Sequence, residues 1–145
     1  MKSTEANKSD LENLLKNLEG EALVRIAILF GSFGTTSERR ESDVDIAIAG
    51  PAPLNTDQKL QLLTLVEKST GRAVDLIDLQ TATGTVFKEA LSKGRILINH
   101  DTDLMGRLLI RMLSDEADYQ TRKRALAAEA RERIFRVEGR TKSKA

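Results

Sequence analysis

The sequence predicts an α/β (α+β) domain in which a small mixed sheet carries helices mainly on one face and a helical extension follows on the C-terminal side. Three observations predict it. Four β-branched and apolar runs of strand length occupy residues 24–30, 44–49, 73–79 and 95–99. Amphipathic helical stripes separate the later runs, whereas the first two are joined by a glycine turn and a polar loop. Near the C-terminus the helical pattern lengthens and no further strand signal appears.

Each element has its own local cause. Ser9-Asp10-Leu11-Glu12 has capping-box spacing, Leu11, Leu14, Leu15 and Leu18 form one stripe, and Gly20 ends it, so a first helix is expected from about residue 9. Pro51 and Pro53 close the second strand. A helix over 56–69 then places Leu60, Leu63 and Val66 on one face and stops before Gly71. A shorter helix over 83–93 turns Val86, Phe87, Ala90 and Leu91 inward, and the strand at 95–99 follows it. From Asp101 or Thr102 a long helix runs through Leu104, Leu108, Leu109 and Met112. A break is admissible near Ser114, and 125–135 reads as either a separate helix or its continuation. No repeat and no domain-dividing linker is visible, so one domain over 1–138 is expected, with the extension from about 101 and a disordered tail at 139–145.

Composition narrows the classes of function. The 145 residues suffice for one core but leave little room for a separate acceptor-binding domain. With 40% hydrophobic and 31% charged residues, neither wholesale disorder nor a long membrane span is expected. The N-terminal stretch is polar without an apolar signal segment, and cysteine is absent, which together predict a cytoplasmic protein without disulfides or thiolate metal sites. Net charge is +1, yet residues 121–145 hold nine Lys or Arg against three Glu. Aromatic residues, 3% of the chain, do not interleave with these cations, so no direct nucleic-acid binding is expected, and the basic segment reads first as a solvated helix face.

The chemistry concentrates in residues 31–48. Gly31-Ser32 follows the first strand, and Asp43-Val44-Asp45 opens the second after a ten-residue spacer. Strand alternation puts Asp43 and Asp45 on one face and Val44, Ile46 and Ile48 on the other. Two adjacent carboxylates repel unless a cation lies between them, and hard oxygen ligands of this kind suit Mg2+, which completes its shell with water and substrate phosphates. The Gly-Ser turn would hold those phosphates. A third carboxylate is offered by Asp75 in Val74-Asp75-Leu76. Asp78 lies three residues on, faces the other side, and is placed to cap the turn before Thr81.

This constellation resembles the DNA polymerase beta-like nucleotidyltransferase superfamily, and within it the minimal nucleotidyltransferase antitoxins that partner HEPN toxins. The likeness covers roughly residues 22–100. It implies the polymerase beta-like fold with one sheet face open to a nucleotide. Asp43, Asp45 and Asp75 would act as catalytic and metal-binding residues for two Mg2+ ions, about 3.5–4 Å apart, and ATP would be the substrate. Gly31, Ser32, Ser42, Arg39 and Arg40 would be the nucleotide-binding residues. The chain departs from the family pattern after Phe33, where Gly34-Thr35-Thr36 stands in place of Ala-Arg-Gly. Arg39 and Arg40 are the candidates to supply the missing charge, and each equally fits a solvated loop position.

A bare catalytic domain implies an acceptor that is itself a folded macromolecule. The resemblance names one: a HEPN ribonuclease toxin, in a hetero-oligomeric complex, receiving AMP from ATP on a tyrosine, with no membrane involved. The alternatives are a small-molecule or tRNA-end nucleotidyltransferase and a non-catalytic module that occludes its partner. His100 reads as structural or solvent-facing, and Tyr119 as a packing residue of the last helix.

Overall fold

The computed structural model describes residues 2–31 and 43–143, with side chains over 8–31 and 43–136. Its elements follow the order α1 (Lys2–Glu19), β1 (Ile26–Phe30), β2 (Val44–Ala49), α2 (Thr56–Thr70), β3 (Val74–Asp78), α3 (Gly84–Lys93), β4 (Arg95–Asn99) and α4 (Thr102–Ser143). The chain divides into two compact units, Met1–Leu109 and Ile110–Ala145.

In the first unit the strands form one mixed sheet in the order β3-β2-β1-β4. β1 is antiparallel to both β2 and β4, with an irregularity between Ala27 and Ile28 on the β4 side, and β2 is parallel to β3. A parallel pair needs a crossover, and α2 supplies it. One face of the sheet presents Ala27 and Leu29 of β1, Val44, Ile46 and Ile48 of β2 and Ile98 of β4. Leu14 and Leu18 of α1 and Leu62 and Val66 of α2 close over them. Full burial of each such Leu, Ile or Val side chain contributes about 1.5–3 kcal/mol. Asn17 of α1 also donates to the Ser69 hydroxyl of α2 at 2.8 Å.

The second face is covered in part by α3, whose Phe87 and Ala90 are buried. A side chain at Gly94, the residue after α3, would run into Ile28 on this face. The helices therefore lie mainly, but not wholly, on one side.

Helix ends show why the boundaries fall where they do. Asn55 and Gln58 form a reciprocal capping box at the start of α2, with bonds of 2.8 and 3.0 Å. Gly71 ends the helix in the left-handed conformation (φ 66°). Asn55→Ala is expected to cost about 1 kcal/mol, read as a lower urea midpoint at unchanged slope. At α4 the Asp101 carboxylate accepts the Leu104 amide at 2.9 Å, which fixes the start at Thr102.

Three expectations about helix starts and faces are corrected, and one open alternative is decided. α1 begins at Lys2, so Ser9 lies inside the helix and does not cap it. The buried side of α2 is Leu62 and Val66, whereas Leu60 is 60% exposed. On α3, Phe87 and Ala90 turn inward but Val86 is exposed. α4 is unbroken at Ser114 and continues through 125–135 to Ser143.

Within the second unit, i,i+4 pairs Glu129–Arg133 and Glu132–Arg136 line the helix surface at 2.7 and 3.7 Å. The described Lys and Arg side chains from Arg122 to Arg136 are exposed. Tyr119 is exposed too, against the expectation of a packing role, and His100 faces solvent as expected. Among the described residues no helix is long and apolar enough to cross a membrane.

Candidate active site

β2 reads Val-Asp-Ile-Ala-Ile-Ala, and its alternation decides the site. Val44, Ile46 and Ile48 enter the main core, which forces Asp45 onto the opposite face. Asp43, immediately before the strand, lies two residues from Asp45 and is exposed. In the parallel ladder Asp45 is the register partner of Asp75, and on the other side it is the partner of Phe30 in β1. Adjacent strands lie about 4.8 Å apart, so Asp45 and Asp75 stand side by side in one row on one face.

The glycine turn is bound into the same arrangement. Gly31 follows Phe30 directly and adopts a left-handed backbone conformation (φ 75°) that L side chains rarely take. A Cβ at that position would overlap the Asp45 carboxylate. Glycine is thus required for the turn, and a side chain here would also push the Asp45 carboxylate out of its place.

Electrostatics mark Asp45 as the centre of the cluster. Its pKa is raised, first by burial, then by the charges of Asp75, Asp43 and Glu89 in that order. Glu89 is a residue the sequence reading missed. It sits exposed on α3 beside the buried Ala90, and its charge is the smallest of those that raise Asp45; no local motif announces it. Among the described residues no three ligating groups already converge as a preformed metal cage would. The donors fit Mg2+ nonetheless, because all are carboxylates, they raise one another's energy without a counter-charge, and this ion takes most of its shell from water and phosphate.

The structure thus brings Gly31, Asp43, Asp45 and Asp75 together and sends Asp78 elsewhere. Asp78 is 4% exposed and its carboxylate accepts the Leu54 amide at 2.8 Å and the Gln80 amide at 2.9 Å. Ser32, Arg39, Arg40 and Ser42 lie outside the described residues.

Comparison with known proteins bears on the fold and the family. A curated relative, the protein adenylyltransferase MntA of Shewanella oneidensis, is 27% identical over 74 residues, 51% of this chain and 53% of that protein, so the chain spans about half the length of the relative it matches. Among solved structures, a toxin-antitoxin crystal structure with AMP-PNP superposes with a TM-score of 0.67 at 21% identity, covering 83% of this chain and 97% of the other. The tri-AMPylated Shewanella oneidensis HEPN toxin in complex with its MNT antitoxin gives 0.64 at 19% identity, over 86% and 98% of the two chains. At these identities the structural likeness speaks for the fold. Residues 12–103 match the family described as Polymerase beta, Nucleotidyltransferase, which is well over half of the chain, and the protein belongs to that family.

Proposed function

We propose that this chain is an antitoxin nucleotidyltransferase that transfers AMP from ATP to a hydroxyl, a tyrosine's, on a partner HEPN ribonuclease toxin in the cytoplasm, and that the two form a hetero-oligomeric complex. The observation that carries the reading is the row of Asp45 and Asp75 on an open sheet face, with Asp43 and the Gly31 turn beside it. The relative's adenylyltransferase name and the HEPN complexes among the structural neighbours support the choice of acceptor.

Asp43, Asp45 and Asp75 would hold Mg2+, which when bound supplies positive charge to the triphosphate and to the departing pyrophosphate. The Gly31 amide and the Ser32 hydroxyl would hold the terminal phosphates, because glycine allows close backbone approach to oxyanions. Asp75 would take the proton of the acceptor hydroxyl. That oxygen forms a bond to the α-phosphorus in line as the bond from the α-phosphorus to the bridging oxygen breaks, and pyrophosphate leaves with the electron pair. Asp45 is the ligand most dependent on a counter-charge, and Arg39, Arg40 and Ser42 are proposed to contribute to triphosphate binding from the loop.

The test is co-expression with the adjacent gene product, expected to be a HEPN protein, followed by intact-mass measurement and titration. One or more AMP increments on the partner, and inactivation of excess toxin by sub-stoichiometric amounts of this chain with Mg2+ and ATP, are the expected results. Neutralisation that needs one copy per toxin and no nucleotide would replace the enzyme by an occluding module. Label on a small molecule or a tRNA end would name a different acceptor.

A further inference from the structure

β3 is an edge strand. The Val44 amide bonds to the Ala73 carbonyl and the Leu79 amide to the Ile48 carbonyl. With the parallel register of β2 and β3, this alternation commits the backbone of Ala73, Asp75, Ile77 and Leu79 to β2. The amides and carbonyls of Val74 and Leu76 therefore point to the free edge, and among the described residues β3 pairs with no other strand. Along this edge lies an open groove of about 350 Å³ walled by Leu60 and Leu63 of α2 and by Val74 and Leu76, with Asp75 in its lining. Leu60 is largely exposed there.

We infer that the segment of the acceptor protein bearing the reactive hydroxyl docks by adding as a fifth strand to β3, with that hydroxyl side chain next to Asp75 and its two sequence neighbours turned toward the groove. The inference rests on the transfer reading above. What fixes the occupant is the position of Asp75, the outermost carboxylate of the row. A strand added at this edge lies about 4.8 Å from β3, so the side chain opposite Asp75 extends the row Asp45–Asp75 by one place on the same face. Period-2 alternation then sends the flanking residues to the other face, where Leu60, Leu63, Val74 and Leu76 offer apolar walls. Main-chain bonds to Val74 and Leu76 supply affinity without regard to sequence, while the groove selects an apolar-hydroxyl-apolar pattern. Besides these walls the groove is lined by Thr56 and by one cation, Lys59, where the phosphate backbone of a nucleic-acid acceptor would call for several.

Two measurements on the full chain with the co-expressed HEPN protein test this. Amide exchange at Val74 and Leu76 is expected to slow at least tenfold in the complex. Leu60→Glu, at a solvent-exposed position that tolerates the change, is expected to raise the KM for the acceptor about tenfold or more while kcat and nucleotide affinity hold. Unprotected amides in a complex that does transfer nucleotide, or an unchanged KM in Leu60→Glu, would overturn strand addition and leave the transfer reading intact. Protected amides in a complex where the wild type adds no nucleotide mass would retain the docking mode and remove the transfer reading.

Discussion

Asp45→Asn is expected to lower nucleotide transfer on the order of 10³-fold or more, since it strips charge from the one carboxylate that borders Gly31, Asp43 and Asp75 together. The same change is expected to raise the melting temperature at pH 7 in the absence of divalent ions. Burial and three neighbouring carboxylates raise the folded pKa of Asp45 above its unfolded value. The stability linked to it is therefore fully present below the unfolded pKa and is lost as pH rises through the raised folded value. At neutral pH the wild type holds an ionised Asp45 among like charges, and asparagine does not. Melting curves across the acidic range should show this component in the wild type and not in the variant. Added Mg2+ should stabilise the wild type only, by mass action on the folded state. Wild-type turnover by Asp45→Asn under Mg2+ would remove the carboxylate row from the mechanism.

Asp78→Ala is expected to have the largest effect on stability, about 3–5 kcal/mol, with transfer per folded molecule unchanged. Two amides lose a charged acceptor in a buried position, and hydrogen bonds to charged groups contribute about 1.5–3 kcal/mol each. The Leu54 bond ties the connection between β2 and α2 to the end of β3, so its loss also loosens the crossover. Asp78→Asn, which from sequence alone would be nearly silent, keeps one acceptor oxygen but turns an amide donor toward a second donor. A loss of about 1–3 kcal/mol is expected. Denaturant midpoints combined with activity at matched folded fraction separate this from Asp75→Asn, which should spare stability and stop transfer. Equal damage to turnover in both would refute the division of roles.

Much of this was legible because strand alternation is a rigid local rule. The span of β2, the facing of Asp45 away from Val44, Ile46 and Ile48, and the opposite facing of Asp75 and Asp78 all follow from a period of two. Helix faces were less legible. α2 carries leucine or valine at 60, 62, 63, 65 and 66, so several stripes are equally apolar, and only packing against Leu14 and Leu18 of α1 and against the sheet selects Leu62 and Val66. Glu89 was invisible for another reason: its charge acts on Asp45 across 44 residues of sequence, because α3 lies over the second face. The need for glycine at 31 was suspected from its turn, but its second cause, the neighbouring Asp45 carboxylate, exists only once β1 and β2 are paired.

The parallel pairing of β2 with β3 carries a consequence for when the chain can first act. Asp43 and Asp45 precede α2 and Asp75 follows it, so the three carboxylates are strangers until the whole crossover has folded back onto the sheet. Pairing of that kind is non-local and comes late, after loop closure across α2 has been achieved. An emerging polypeptide that has formed only β1 and β2 owns a glycine turn and two aspartates but not the third carboxylate beside them. On the proposed mechanism, chemical competence is thereby deferred to the end of folding, and a half-made chain would have no means of spending ATP.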